Sequence, residues 1–482
     1  MGKDKGVSLL KTLLTFIVLF IAILVGAFYT SSDQIFKKLV EIGFSKFDLG
    51  TLCVVYQDKS VKKFGDKNEG GCTAEIILLD EKLFFSKLIL TGGTLGLGEA
   101  FVDKAYTINF EKYKLGDIVT HILINFSRQP SNQIVRWMST RAWKLWWIRV
   151  VQKKDRADDA DCISHHYDIG NDLYSSFLDE TMIYTCSIWN NDTPTLKDAQ
   201  INKLNILLKK LQVKPHHRVL DIGSGWGYYP SMIFNLTGKQ ANVTGISISN
   251  EQLKGSREMF GDYDVKKDNT GPHFVYSDYR DIIGPFDRIV SIGMLEHVHM
   301  KRLQEFMDVM YEQLTDDGRM VLHYITRNDI YPDRYKLTRE SACKHLNFLE
   351  KHIFPGSCLP DPSWVQEFAW KAKNRKTGKG RGFVKVHEEK FGFHYAKTLR
   401  HWGINFEKNF KKLQKNNNKY DERFFRLYQF YFANAEAAFR IGWADLVQQV
   451  FVKPKEKEYM YGEFESMMDE IKNPNQLPIY DE

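Results

Sequence analysis

The chain has 482 residues, and its 67 Lys and Arg against 60 Asp and Glu leave a formal net charge of +7. Hydrophobic residues make up 43% of the sequence, enough to build the cores of two or three domains. This composition excludes an extensively disordered chain, a collagen-like repeat and a small disulfide-stapled protein. The modest positive charge is compatible with an anionic membrane surface and with nucleic acid, so it does not separate these two kinds of partner.

A long apolar segment lies at the amino terminus. Residues 12–30 (TLLTFIVLFIAILVGAFYT) carry no charge, and about 20 such residues, rising ~1.5 Å each, span the ~30 Å hydrocarbon layer of a bilayer. We therefore predict a single N-terminal membrane anchor, a transmembrane helix within residues 1–34. A cleaved signal peptide with its small-residue site at 25–27 is the alternative. No other segment is apolar enough to span, which excludes a multispanning membrane protein.

Residues 35–115 predict a small α+β domain, with short strands at 51–56 and 74–79. The glycine cluster at 92–98 is interpreted as a tight strand-to-helix turn, because no acidic residue follows it to complete a nucleotide-binding unit. Residues 116–160 predict an amphipathic linker in which Trp is interleaved with Arg and Lys. Such a helix either lies at a lipid headgroup interface or packs between domains.

The cysteines and histidines do not form a metal-binding pattern. The six cysteines are scattered without a CxxC pair, which predicts reduced thiols, although their even number leaves disulfides open. Glu296 lies beside His297 and His299, but this order lacks the usual spacing of a zinc-binding helix. We therefore predict no metal site.

Helical and extended segments alternate between residues 200 and 330, which predicts a doubly wound parallel sheet. Its strands are predicted at 218–222, 241–246, 287–292 and 319–325. Residues 330–450 are predicted to be largely helical. Within them the basic stretch 371–385 is either a solvated loop or a contact for anionic lipid, and residues 453–482 form a charged tail.

The most informative motif is a glycine-rich run at the end of the first strand of this sheet. Asp221 lies near the carboxyl end of the strand. Gly223, Gly225 and Gly227 follow it and allow the backbone to pass close to a ligand. The spacing is GxGxG, and not the GxGxxG of folds that bind the pyrophosphate of a dinucleotide at a helix start. It therefore favours S-adenosylmethionine (SAM) over NAD. The second strand ends without an acid, so hydroxyl and amide groups of residues 247–252 would bind the ribose.

The glycine run belongs to a series of motifs. They are His165–Asp172 (HHYDIGND), Tyr184–Trp189 (YTCSIW), Asp221–Gly227 (DIGSGWG), Gly245–Gln252 (GISISNEQ), Ser277–Asp281 (SDYRD), Gly293–His297 (GMLEH), His323–Ile325 (HYI), Ile353–Pro355, Cys358–Pro360 and His394–Tyr395. In this order they resemble the motifs of the cyclopropane-fatty-acyl-phospholipid synthases and their mycolic-acid relatives, over residues 45–452. Ser224 replaces a family cysteine, and the anchor, the basic stretch and the tail depart from the compact bacterial pattern.

The resemblance implies a Rossmann-like, doubly wound SAM-methyltransferase sheet with helical additions over residues 161–452, and it assigns lipid handling to the small N-terminal domain. It implies that SAM donates a methyl group to the cis double bond of an unsaturated phospholipid acyl chain. The resulting carbocation then loses a proton to bound bicarbonate and closes a cyclopropane ring. A methyltransferase that makes methyl-branched acyl chains or C-methylates a sphingolipid base, and a non-catalytic lipid-binding protein, stay open as alternatives.

Carried over residue by residue, the resemblance implies two sets of site residues. The catalytic set is Cys186, Glu296, His323, Ile325 and Tyr395. The cofactor-binding set is Tyr184, Thr185, Asp221, Gly223, Gly225, Trp226, Gly227, Ser247, Gln252, Tyr279 and Arg280. The implied partners are SAM, bicarbonate and a phospholipid membrane, with no nucleic acid, and a homodimer stays open. Because SAM is supplied in the cytosol, we expect the anchored catalytic domain to face it.

Overall fold

The computed structural model describes most of the chain between residues 33 and 454. The described segments are 33–65, 71–128, 170–261, 271–327, 348–355 and 357–454. The predicted anchor up to residue 32, the predicted linker beyond residue 128 and the charged tail beyond residue 454 lie outside them. Across these segments no helix combines the length and the apolar character that crossing a bilayer requires.

The helices and strands of the described segments are named here in chain order. They are β1 (Thr51–Val55), β2 (Val61–Gly65), β3 (Ala74–Leu78), α1 (Glu81–Leu90), α2 (Gly93–Val102), β4 (Tyr106–Thr107), α3 (Leu115–Ser127), α4 (Asn171–Phe177), α5 (Leu196–Leu211), β5 (Arg218–Ile222), α6 (Tyr228–Leu236), β6 (Asn242–Ser247), α7 (Asn250–Phe260), β7 (His273–Tyr276), β8 (Phe286–Ile292), α8 (Leu303–Gln313), β9 (Leu314–Arg327), α9 (Phe348–His352), α10 (Pro362–Trp370), β10 (Val384–Lys390), α11 (Gly392–Asn416), α12 (Glu422–Arg440) and β11 (Ala444–Val452).

The chain divides into two compact units. Of the described residues, the first contains those from 33 to 128 together with 348–351 and 418–437, and the second contains the rest. The first unit is built on a four-stranded sheet with the order β2-β1-β3-β4. Burial alternates along β3, because successive side chains of a strand point to opposite faces. Strands are present where the sequence predicts them at 51–56 and 74–79, so this part of the prediction is confirmed.

The glycine cluster of the first unit connects α1 to α2, with Gly92 as the N-cap of α2, so its interpretation as a strand-to-helix turn is wrong. Gly96 and Gly98 lie within α2. A Cβ atom on Gly96 would lie 2.5 Å from the Lys87 carbonyl oxygen, and one on Gly98 would collide with the rings of Phe348 and Phe430. These glycines therefore allow close packing of the helix inside the unit, an advantage that outweighs their low helix propensity.

The first unit also contains a disulfide between Cys53 and Cys72, whose Cα atoms are 5.7 Å apart. The prediction of reduced thiols is therefore wrong for this pair. Parallel pairing of β1 with β3 brings the segment before β3 alongside β1, where the Thr73 N–H donates to the Thr51 carbonyl. Cys358 is disulfide-bonded as well, whereas Cys186 is a free, buried thiol.

The second unit is an α/β fold around a seven-stranded sheet with the order β10-β11-β9-β8-β5-β6-β7. Strands β5 to β9 are parallel, and the four strands predicted between residues 200 and 330 are confirmed among them. Strands β10 and β11 join the sheet in antiparallel orientation. The sheet is therefore mixed, which corrects the prediction of a parallel sheet. The described residues between 348 and 450 are largely helical, as predicted, but they also supply β10 and most of β11.

Helices cover both faces of this sheet and bury two apolar cores. Val219 of β5 packs with Leu204 and Leu207 of α5 in one core, and Leu220 packs with Phe306 of α8 in the other. Neighbouring residues of β5 thus face opposite cores, as the period of two along a strand requires. Fully burying one such aliphatic or aromatic side chain stabilises the fold by roughly 1.5–3 kcal/mol. The sheet is consequently a rigid support for the loops at its carboxyl edge.

Candidate active site

A cleft opens at the carboxyl ends of the parallel strands β5, β6 and β8. It encloses about 1150 Å³, including its open mouth. Its walls come from residues in six segments of the second unit, namely 181–185, 203–204, 221–229, 246–252, 277–279 and 292–298. In open α/β sheets such a crevice forms where neighbouring loops leave the sheet in opposite directions, and it is the usual place for a ligand.

The predicted glycine bend forms one wall of this cleft. Gly223, Gly225 and Gly227 have φ angles of 79°, 56° and 83°, a region that favours glycine. The backbone N–H groups of Gly223 and Ser224 donate to the Ile246 carbonyl at 2.9 and 3.0 Å, which fixes the bend against β6. A Cβ atom on Gly225 would point into open space. The bend therefore brings bare backbone to the edge of the cleft.

Buried polar groups lie beside the bend, at the end of β5. Asp221 is 2% exposed, and burial raises its pKa to about 7. One of its carboxyl oxygens and the hydroxyl of Tyr229 have no hydrogen-bond partner among the described residues. Unpartnered buried polar atoms are costly in a folded protein, and a ligand in the cleft would relieve that cost.

Lys203 belongs to this polar group, although it is absent from the predicted site. Its Nζ donates to Oγ1 of Thr185 at 2.7 Å, and its side chain is fully buried. Burial lowers the pKa of Lys203 to about 7. The sequence did contain a signal, because Lys203 lies on the apolar face of α5 with Ala199 and Leu207, where a charged residue is unusual.

The side of the cleft next to β6 carries the hydroxyl and amide groups that the sequence predicts for the ribose. Ser247 donates from Oγ to Oε1 of Gln252 at 2.9 Å. Arg280 pairs with Asp278 at 2.7 Å and does not line the cleft. Gly227 does not line it either and serves instead as the N-cap of α6. The predicted cofactor residues that line the cleft are Tyr184, Thr185, Asp221, Gly223, Gly225, Trp226, Ser247, Gln252 and Tyr279.

Glu296 and Ile325 of the predicted catalytic set are in direct contact. The Ile325 N–H donates to Oε1 of Glu296 at 2.7 Å, whereas Oε2 is buried without a partner among the described residues. Burial raises the pKa of Glu296 to about 7. The flanking residues Met294 and His297 line the cleft, so Glu296 lies directly behind its wall.

His323 lies two residues before Ile325 on β9 and is almost completely buried. Its carbonyl oxygen accepts from the Gly293 N–H at 2.8 Å, which ties it to the segment that lines the cleft. Its Nε2 is buried without a partner among the described residues. Burial first, and then the ammonium groups of Lys203 and Lys210, lower the pKa of His323 well below its usual range. The imidazole is therefore neutral.

Cys186 and Tyr395 complete the predicted catalytic set. Cys186 is fully buried, its thiol donates to the Ser187 carbonyl at 3.2 Å, and burial raises its pKa. Tyr395 of α11 packs its ring against Trp402 and Phe439, with centroids 6.0 and 4.6 Å away. None of the five catalytic residues, all of which are described, contributes to the lining of the cleft. Cys186, Glu296, His323 and Tyr395 are buried, and Ile325 is partly buried.

Comparison with known proteins decides the family. Residues 153–449 match the family model described as mycolic acid cyclopropane synthetase. The chain belongs to this family. The resemblance seen in the sequence motifs is thus confirmed, and the protein is a SAM-dependent methyltransferase of the mycolic acid cyclopropane synthetase family.

Two curated relatives illustrate the range of the family. The cyclopropane-fatty-acyl-phospholipid synthase of Escherichia coli is 32% identical over 372 residues, which cover 76% of this chain and 85% of that protein. The sphingolipid C9-methyltransferase of Candida albicans is 32% identical over 319 residues, which cover 64% of this chain and 57% of that protein. The chain is therefore similar both to a relative named for phospholipid acyl chains and to one named for sphingolipids.

Two solved structures of the family share the fold over about three fifths of this chain. The cyclopropane synthase MmaA2 of Mycobacterium tuberculosis has a TM-score of 0.53 and 28% identity, covering 62% of this chain and 100% of its own. The mycolic acid cyclopropane synthase CmaA1, in complex with SAH and CTAB, has a TM-score of 0.52 and 29% identity, covering 61% and 98%.

The cleft of this family member fits SAM on its own geometry. Open space in front of Gly225 admits a ligand against the backbone. Ser247 and Gln252 supply hydroxyl and amide groups for ribose, and Asp221 and Tyr229 supply polar atoms that lack partners among the described residues. All the residues predicted to hold the cofactor, except Gly227 and Arg280, therefore line one cavity.

Proposed function

We propose that this protein transfers a methyl group from SAM to the cis double bond of an unsaturated phospholipid acyl chain and closes a cyclopropane ring. The observation that carries the proposal is the buried carboxyl group of Glu296, which is held by the Ile325 N–H and has one oxygen without a partner among the described residues. It lies directly behind the wall of the SAM cleft. A carboxyl group in this place is suited to a reaction that forms positive charge on carbon.

The chemistry demands such an enclosed site. Bound SAM supplies an electrophilic methyl group, and an isolated alkene is a weak nucleophile, so close approach and exclusion of water must provide much of the acceleration. A carbocation exposed to solvent would be captured by water. The aromatic rings of Tyr395, Trp402 and Phe439 pack together, and in this role they would exclude water and present electron-rich faces to a cation.

The catalytic set also suits a small anion such as bicarbonate, whose role would be to accept the proton that leaves the cation. Glu296 and His323 each have a buried polar atom without a partner among the described residues. A neutral imidazole N–H and a protonated carboxyl group both donate to an anion, and burial raises the pKa of Glu296 to about 7. The Ile325 N–H is already bonded to Glu296, so side chains would make most of the anion contacts.

The substrate would come from a bilayer, and one surface of the second unit suits contact with anionic lipid. Residues 371–385 contain seven Lys and Arg and no acidic residue. Lys376 and Lys379 are exposed on a loop whose turn is built on the Asn374 side chain, and Trp370 beside it is 69% exposed. Exposed cations and an exposed Trp are the groups that bind lipid headgroups and the membrane interface.

The second candidate function is C-methylation of a sphingolipid base. The observation in its favour is the 32% identity to the Candida albicans sphingolipid C9-methyltransferase. The two reactions share the cleft and the first methyl transfer, and they differ in the proton that leaves the cation. The lipid product therefore decides between them.

The test is incubation of the full chain with methyl-labelled SAM and vesicles that contain unsaturated phospholipid, or in a parallel sample an unsaturated sphingolipid. The expected product is a labelled acyl chain that resists ozonolysis, because a cyclopropane has no double bond. A labelled chain that ozone cleaves would mean a methylated alkene. Label confined to the sphingolipid base would replace the proposed function with the second candidate.

A further inference from the structure

His323 and Gln448 face each other across the antiparallel pair of β9 and β11. Nε2 of Gln448 lies 3.0 Å from Nδ1 of His323, and both side chains are almost completely buried. Gln448 is outside the predicted catalytic set, and it does not line the cleft. Its contact with the imidazole nevertheless affects which ring nitrogen carries the proton.

The orientation of the Gln448 amide is set by a neighbouring lysine. Nζ of Lys210 lies 2.6 Å from Oε1 of Gln448 and also pairs with Glu389. An ammonium group only donates hydrogen bonds, so the atom it contacts must be the amide oxygen. The NH₂ group of the same amide therefore faces Nδ1 of His323. It donates, and Nδ1 accepts.

A neutral imidazole has one N–H, so a ring that accepts at Nδ1 carries its proton at Nε2. The ring is neutral because burial and the nearby ammonium groups of Lys203 and Lys210 lower its pKa. Both lysines lie on the buried face of α5, seven residues apart. The Nε2 atom has no partner among the described residues, so its N–H is available as a donor.

We propose that Gln448, held by Lys210, is a positioning residue that fixes His323 as the Nε2–H tautomer and thereby keeps an N–H donor ready for an anion in the catalytic region. The inference rests on the proposed function for the role of the anion. The opposite tautomer would place a lone pair on Nε2 and repel the same anion. Lys210, Gln448 and His323 thus form a chain of contacts in which each fixes the next.

The variant that tests this is Gln448→Glu. The side chain keeps its size and its contact with Lys210, but a carboxylate only accepts hydrogen bonds and would draw the ring proton of His323 to Nδ1. The tautomer is measured by NMR of the ¹⁵N-histidine-labelled full chain, with the His323 signals assigned from their loss in His323→Gln. SAM affinity is measured by calorimetry, and turnover is measured with unsaturated phospholipid vesicles.

In the wild type we expect the Nε2–H form. In Gln448→Glu we expect the proton on Nδ1, a fall in turnover of about 100-fold, as for loss of one preorganised donor, and unchanged SAM affinity. If Gln448 had only a structural role, its substitution would not change which ring nitrogen of His323 carries the proton. A wild-type ring with its proton on Nδ1 would overturn the inference whether or not the variant folds, and so would an inverted tautomer with unchanged turnover.

A matched pair of variants supplies the control. Gln448→Met and Gln449→Met each remove one fully buried amide from β11. The side-chain amide of Gln449 bonds to Tyr324 and Glu388, and in the strand register Gln449 pairs with Leu322 and not with His323. We expect a mixture of tautomers in the first variant and the wild-type tautomer in the second, and a mixture in both would overturn the inference. If the wild-type protein has the Nε2–H form of His323 but methylates no lipid, the proposed function is contradicted. The tautomer assignment is upheld in that case.

Discussion

Lys203 donates to Oγ1 of Thr185 at 2.7 Å from inside the core of the second unit, where its side chain is fully buried. Thr185 lines the SAM cleft, so a buried cation holds one of the groups that contact the cofactor site. A cation is costly to bury, and this cost is accepted most often where the charge has a role. We infer that Lys203 orients Thr185 and, in its protonated form, presents positive charge to the cleft.

The first prediction concerns Lys203→Met, which keeps the apolar stem and removes the charge. A hydrogen bond to a charged group is worth about 1.5–3 kcal/mol, so SAM affinity should fall by at least about tenfold. Calorimetric titration with SAM measures this. Lys209→Met, on the same helix but outside the cleft lining, is the control and should bind SAM as the wild type does. Equal affinity in both variants would contradict the role of Lys203.

The second prediction uses the pKa of Glu296, which burial raises from 4.5 to about 7. A raised pKa means that the folded state binds this proton more tightly than the unfolded state does. Its contribution to stability is complete below about pH 4.5 and is lost as the pH rises through 7. Glu296→Gln lacks the titration. Relative to this variant the wild type should therefore lose on the order of 3 kcal/mol between pH 4 and pH 8.

Urea unfolding of both proteins at several pH values tests this prediction. Asp221 and Lys203 titrate in the same range, because burial moves the pKa of each to about 7. They are present in both proteins, so the difference in the free energy of unfolding isolates Glu296. A difference that stays constant with pH would mean that the carboxyl group is not titrating as a buried acid.

Local features of the second unit could be predicted from the sequence, because the chain encodes them within a few residues. The bend at Gly223 and Gly225 follows from glycine spacing at the end of an apolar strand, and the structure shows the positive φ angles that this requires. The family motifs also placed Glu296 and Ile325 together in the catalytic set, and in the structure the Ile325 N–H donates to the Glu296 carboxyl group.

Features that depend on distant pairing could not be predicted in this way. Strand β11 carries Gln448 and Gln449 side by side, which breaks the alternation that marks a strand, and its partner β9 is more than a hundred residues earlier. The Cys53–Cys72 disulfide likewise depends on how β1 and β3 pair. Lys203 was not predicted, although Lys203 and Lys210 are both charged residues on the largely apolar buried face of α5.

The third prediction is that Gly225→Val abolishes SAM binding. Its side chain would occupy the open space in front of the bend, and the φ angle of 56° strains a β-branched residue. Gly378→Val is the matched control, because Gly378 has a φ angle of 69° and open space around a Cβ but lies outside the cleft. Calorimetry should show SAM binding by the control alone. Binding by both would place SAM elsewhere.

The fourth prediction is that Glu296→Gln lowers turnover by about 100-fold or more while SAM affinity is retained, since groups that move protons or stabilise charge typically contribute that much. Glu296 lies behind the cleft wall and is bonded to Ile325, so it does not help to bind the cofactor. Turnover with unsaturated phospholipid vesicles and calorimetry with SAM measure the two quantities. Near-normal turnover would remove Glu296 from the catalytic set.

The fifth prediction concerns the basic loop. Each Lys near an anionic surface contributes about 1 kcal/mol, so Lys376→Glu with Lys379→Glu should weaken binding to phosphatidylserine-containing vesicles by at least about 30-fold. Trp370→Ser should weaken it further, and added salt should reduce the wild-type affinity, because salt screens exposed charges. The control is Lys408→Glu with Lys411→Glu, two exposed lysines on α11. Vesicle sedimentation measures the binding, and an equal loss in both double variants would show that net charge, and not this loop, determines the membrane contact.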